Sequence, residues 1–315
     1  MDVLLLVGFL TGAGLIVAGA ELFAAHLSRA AARLGTSTFA LGILLAGTEP
    51  EELATVVFAS ARDAPGIALG DVVGANVALS LVAVGVAALV TPLRFDRRLY
   101  VYSLAGVPLG VLAVALVWDG RVDRASGALL ISLYAAYVTF VWRADRGVPA
   151  LGEVGELAEA RAELPRGRIG SELLLAITGV ALLAGGSVLI VESVRELAGV
   201  QATEVRLGLT LVGFATTFEL VVLAWSAARR RTVETAMAGV VGSFAYNATM
   251  TLGAGAFVRP LQLDEASALR GPLALMPVAF LIPIALALAG SGIGRYHGLA
   301  LIVLYGLFVL YVFAR

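Results

Sequence analysis

The chain has 315 residues, of which 60% are hydrophobic and only 14% charged, with a formal net charge of −1 and a mean hydropathy of +0.94. That composition belongs to a protein that spans a bilayer, and it excludes an ordinary soluble domain. Cysteine is absent, which excludes disulfides and thiolate metal sites.

Apolar runs long enough to cross about 30 Å of hydrocarbon recur along the whole chain. Ten spans are expected, at about 3–25, 36–61, 66–91, 99–118, 125–142, 170–192, 204–228, 234–257, 271–289 and 294–313. The first begins with Asp2 rather than a basic segment and is longer than a secretory core, so it reads as a helix and not a signal. Glu21, His26 and His297 lie near span ends and read as interfacial polar residues.

The second span interrupts its apolar pattern with Gly47, Thr48, Glu49, Pro50, Glu51, Glu52 and Leu53. A carboxylate at bilayer depth costs about 2.5–3.5 kcal/mol on insertion scales, so these acids need a cation, a proton or an internal donor. No arginine or lysine lies inside the second span, and the seventh carries only Arg206, at its start. On a helix Thr48, Glu49 and Glu52 share a face, whereas Glu51 turns roughly 100° from Glu52. Pro50 removes a backbone donor and is expected to strain the preceding turn, freeing carbonyls near Ala46 and Gly47.

Residues 143–168 are the only extended polar stretch, carrying Glu153, Glu156, Glu159 and Glu163 among arginines. They read as a solvated linker that separates residues 1–142 from 169–315. In the seventh span Thr216 and Glu219 repeat the spacing of Glu49 and Glu52. Ser243 and Asn247 share one face of the eighth. At the corresponding third-span places stand Ala75 and Leu79, with Asn76 one step round the helix, so the oxygen cluster is lopsided. Pro277 and Pro283 read as bends in the ninth span, and Arg229, Arg230 and Arg231 as an anchor near anionic lipid.

The two halves resemble each other. At an offset of 167, Thr11, Gly12, Gly19, Glu52 and Leu53 fall on Thr178, Gly179, Gly186, Glu219 and Leu220. One residue further out of step, Val72, Val73 and Gly74 fall on Val240, Val241 and Gly242. Five spans per half force the second copy to enter the membrane from the opposite side. The expected fold is therefore an all-α integral membrane protein of ten transmembrane helices in two inverted five-helix repeats. Lysine is absent; fourteen arginines fall in loops after odd spans and eight after even spans. The positive-inside rule then puts the linker in the cytoplasm and both termini outside a cell (inner) membrane.

Inverted repeats are characteristic of secondary transporters, with ligands meeting near the midplane. Carboxylate, amide, hydroxyl and carbonyl oxygens are hard ligands that suit calcium, sodium or manganese rather than zinc or copper. At these residues the chain resembles the sodium/calcium exchanger branch of the cation/calcium antiporter superfamily. The family pattern is Gly-Thr-Ser-x-Pro-Glu-Leu followed by Gly-Asn-x-x-Gly-Ser-Asn-x-x-Asn or Asp. Here the first copy reads Gly47, Thr48, Glu49, Pro50, Glu51, Glu52, Leu53, then Gly70, Asp71, Val72, Val73, Gly74, Ala75, Asn76. The second reads Ala215, Thr216, Thr217, Phe218, Glu219, Leu220, then Gly242, Ser243, Phe244, Ala245, Tyr246, Asn247.

The resemblance implies metal ligands at Glu52, Glu219, Thr48, Thr216, Ser243 and Asn247, with Glu49 a third acid in place of the family serine. It implies an antiporter without cofactors that exchanges Ca2+ or a similar divalent ion for Na+. The lost oxygens at Ala75 and Leu79 keep H+ open as the coupling ion. A channel-like or non-transporting protein on this scaffold also stays open, as does an intramembrane enzyme, although no His-Glu-x-x-His or Gly-x-Ser-x-Gly motif is present. The expected partners are small cations and the lipid bilayer; neither nucleic acid nor a protein partner is indicated.

Overall fold

The computed structural model describes residues 3–33, 49–94, 97–145, 169–230, 233–289 and 292–314. With no water in hydrocarbon to satisfy backbone N–H and C=O groups, the apolar runs fold as helices. In chain order these are α1 (Val3–Arg33), α2 (Pro50–Ala61), α3 (Pro65–Ala78, then a π-helical turn Leu79–Ala83 and Val84–Val90), α4 (Arg97–Val117) and α5 (Arg124–Asp145). There follow α6 (Ile169–Ala198), α7 (Gln201–Leu207, π-turn Gly208–Val212, Gly213–Arg230) and α8 (Val233–Tyr246, π-turn Asn247–Thr251, Leu252–Val258). The last two are α9 (Ser267–Ala289) and α10 (Arg295–Ala314). Among the described residues eight helices are long and apolar enough to cross a membrane. Pro272, Pro277 and Pro283 all lie inside α9.

α3 is the axis of the bundle. Its apolar window is 89% buried, against 22–50% for the other seven candidate spans. α1 lies along α6 with their directions opposed, because Gly12 meets Gly186 while Gly19 meets Gly179. A methyl group on Gly12 would sit 2.8 Å from the Gly186 carbonyl oxygen, and one on Gly19 2.8 Å from that of Gly179, so only glycine permits this approach.

These contacts occur in exchanged pairs. Gly12 and Gly19 correspond to Gly179 and Gly186 at the sequence offset, and each touches the counterpart of the other. Gly85 of α3 packs on Gly298 of α10, while Gly253, 168 residues after Gly85, packs on Gly127 of α5, 171 before Gly298. The turns obey the same rule. Leu93 bridges to Ile293, and in the two-stranded antiparallel ribbon of β1 (Arg121–Val122) with β2 (Leu261–Gln262), Val122 pairs with Leu261. Leu93 and Leu261 are again 168 apart, and Val122 and Ile293 are 171 apart. The π-turns of α3 and α8 also begin 168 apart, at Leu79 and Asn247.

Candidate functional site

The expectation of one helical face through Thr48, Glu49 and Glu52 needs correction at its start. The described helix begins at Pro50, and Glu49 sits before it in a non-helical conformation (φ −108°, ψ 87°). Proline lacks an N–H and has φ already fixed, so it opens a helix rather than bending one. Glu51 and Glu52 therefore occupy the first turn, where the helix dipole is positive. Glu49 stays attached through its carbonyl, which accepts Leu53 N–H at 3.0 Å. Thr48 lies outside the described residues.

Glu49, Glu52 and Asp71 are 4%, 1% and 0% exposed, and none of the ion pairs among the described residues reaches them. Asn247 Nδ2 donates to Glu49 Oε2 at 2.9 Å, and Thr251 Oγ1 in turn donates to Asn247 Oδ1 at 3.1 Å. The Glu49 carboxyl also faces Glu52 and Ser243. Thr216 Oγ1 donates to Asp71 Oδ1 at 3.0 Å. Thr217 Oγ1 lies 3.3 Å from Glu52 Oε1 but only 2.6 Å from the Gly213 carbonyl. One hydroxyl proton serves the nearer acceptor better, so Glu52 is poorly supplied with donors.

Several buried oxygens have no hydrogen-bond partner among the described residues: Glu49 Oε1, Glu52 Oε2, Asp71 Oδ2, Asn76 Oδ1 and Ser243 Oγ. Unsatisfied buried oxygens of this kind are costly in a protein interior, and a cation is a natural partner for them. Among the described residues no three acidic or histidine side chains converge closely enough to chelate one ion by themselves. Hydroxyl, amide and carbonyl oxygens would have to complete the ligand shell, which is the donor set hard cations take. π-turns interrupt the regular helical ladder at Leu79–Ala83 and Asn247–Thr251, where the Ser80 and Thr249 hydroxyls donate to the Asn76 and Ala245 carbonyls.

The structure thus gathers Glu49, Glu52, Thr216, Ser243 and Asn247. Glu219 is half-buried on α7, with Oε2 buried, one turn beyond Thr216 and on the same face. Ala75 and Leu79 are buried and apolar, so the lopsided oxygen distribution is real. Asn76 turns toward α9, its Nδ2 3.6 Å from Met276 Sδ. Glu51 is buried on the face it shares with Thr55, whose hydroxyl lies 3.5 Å from Ser187 of α6. Asp71 and Thr217 were not anticipated as members of the site. The available signal was an aspartate in a wholly apolar run and a second threonine beside Thr216.

Close approach of α3 to α7 sets this geometry. A methyl group on Gly70 would stand 2.7 Å from the Val205 carbonyl oxygen, one on Gly213 2.6 Å from Ala75 N, and one on Gly74 would collide with the Leu209 carbonyl. Outside the site, His26 is more than an interfacial residue: its Nδ1 lies 2.7 Å from Glu172 Oε2, tying α1 to α6, with side chains 14% and 8% exposed. Glu21 and His297 are exposed. Arg229 stacks over the Trp225 ring at 4.8 Å.

Comparison with known proteins gives a consistent result. The sequence model of the family described as sodium/calcium exchanger protein matches residues 4–143 and 171–314. The chain is 27% identical to sodium/calcium exchanger MaX1 of Methanosarcina acetivorans, with 96% of this chain and 97% of that one covered. It is 26% identical to inner membrane protein YrbG of Escherichia coli over 69% of this chain and 68% of the other. Among solved structures it resembles the sodium-calcium exchanger NCX_Mj soaked with Na+ and Sr2+, with a TM-score of 0.64 and 22% identity, covering 98% of this chain and 99% of that one. At that identity the likeness establishes the fold.

Proposed function

The chain belongs to the sodium/calcium exchanger protein family, and from that membership we propose that it is a membrane antiporter that exchanges Ca2+, or a similar divalent cation, for Na+ by alternating access. The observation that carries this reading is the buried group of Glu49, Glu52 and Asp71, whose unpartnered oxygens no arginine neutralises among the described residues. In this reading Glu52 and Glu219 bind the transported cations from opposite halves. Glu49, Thr48, Thr216, Ser243 and Asn247 complete or orient the ligand set.

The proposed frame is ten transmembrane helices in two inverted repeats, residues 1–142 and 169–315, joined by a cytoplasmic linker at 143–168. Both termini face outward from the cell (inner) membrane. The exchanged contacts support a two-fold relation, since Gly12–Gly186 with Gly19–Gly179, and Leu93–Ile293 with Leu261–Val122, interchange under one operation. With helices crossing alternately, the Leu93 bridge and the β1–β2 ribbon fall on opposite membrane faces. That is what inversion requires.

The test is Ca2+ uptake by Na+-loaded proteoliposomes diluted into Na+-free buffer, with manganese, potassium and a pH step substituted in turn. Uptake that follows the Na+ gradient supports the reading; unsaturable conductance without countertransport refutes it. A second reading, H+ in place of Na+, draws on the buried apolar Ala75 and Leu79, which offer no oxygen in the first half. Uptake driven by the pH step alone would favour it.

A further inference from the structure

The proposed ligand set leaves out Asp71, yet this residue is wholly buried on the most buried helix of the bundle. Its Oδ1 accepts one hydroxyl proton, from Thr216, and its Oδ2 has no partner among the described residues. An asparagine there would accept the same Thr216 proton without bringing a charge into the interior. The hydrogen bond alone therefore does not account for an acid at this position. The glycine contacts between α3 and α7 fix the Asp71 backbone beside Thr216, and its carboxylate lies within electrostatic reach of Glu49 and Glu52. The acids do not close on one point. Asp71 thus belongs to a distributed pocket with more than one cation position rather than to a single three-acid chelate.

Resting on the exchanger reading of this site, we propose that Asp71 is a further ligand of the transported cations, which biases the pocket toward divalent over monovalent ions. The bias follows from Coulomb's law, since a charge acts twice as strongly on Ca2+ as on Na+ at the same distance. Removing it divides Ca2+ affinity by the square of the factor by which it divides Na+ affinity.

The experiment compares purified full-length wild type with Asp71→Asn in detergent, following thermal melting as Ca2+ and, separately, Na+ is titrated. The expected result is a folded variant whose ion-free Tm is not lowered. Its apparent affinity falls about 100-fold for Ca2+ and about tenfold for Na+, on that Coulomb scaling. Asp71→Glu, which keeps the charge, is expected to retain the preference for Ca2+. Equal losses for both ions, unchanged affinities with a lowered ion-free Tm, or failure of Asp71→Asn to fold would each overturn the proposal. A wild type that neither ion stabilises would instead refute the exchanger reading itself.

Discussion

The two sides of the site divide its chemistry unequally. The α2–α3 side contributes Glu49, Glu52 and Asp71, and then turns apolar at Ala75 and Leu79. The α7–α8 side contributes one acid, Glu219, together with Thr216, Thr217, Ser243 and Asn247, of which Thr216 and Asn247 place donors on the carboxylates opposite. In the proposed repeat frame, matching backbone positions carry different side chains. One half concentrates charge while the other holds and orients it. α3 and α8 nonetheless each carry a π-turn, beginning 168 residues apart at Leu79 and Asn247.

The largest way to break this arrangement is to part the two sides. Gly74→Leu drives a side chain into the Leu209 carbonyl and should cost more than about 4 kcal/mol, leaving no monodisperse protein in size-exclusion chromatography. A sharper test restores symmetry. Leu79→Asn gives the first half the amide that Asn247 gives the second, and an added oxygen ligand should be worth about 0.5–1.5 kcal/mol, roughly two- to tenfold in apparent Na+ affinity. Unchanged Na+ dependence would mean that the missing oxygen is not what separates the halves. The smallest effect is expected at the rim, where Arg62 of the loop after α2 meets Glu192 of α6 at 2.8 Å with both side chains about half exposed. Arg62→Ala should change stability by less than about 1 kcal/mol, read as a small Tm shift that salt reduces further.

The membrane class, the apolar helices and the buried acids around Pro50 were legible because hydrocarbon makes every charge and every glycine conspicuous. A Glu-Leu and a Val-Val-Gly repeated at nearly one offset stand out in a chain that spends charge so sparingly. The local conformation at Pro50 was not legible. Proline serves equally as a kink inside a helix or as its first residue, and only the backbone at Glu49 distinguishes the two. Asp71 and Thr217 were missed for another reason. Their membership depends on contact between α3 and α7, distant in sequence and set by glycines whose partners no local pattern names. The His26–Glu172 pair escaped for the same cause, being 146 residues apart.

The central claim is that each half supplies an indispensable cation-binding carboxylate despite the unequal division around it. It is tested most directly by Na+-gradient-driven Ca2+ uptake into proteoliposomes carrying wild type, Glu52→Gln or Glu219→Gln at matched, folded protein levels. Each substitution alone should reduce uptake to the protein-free background. Uptake at the wild-type rate in either variant would contradict the claim.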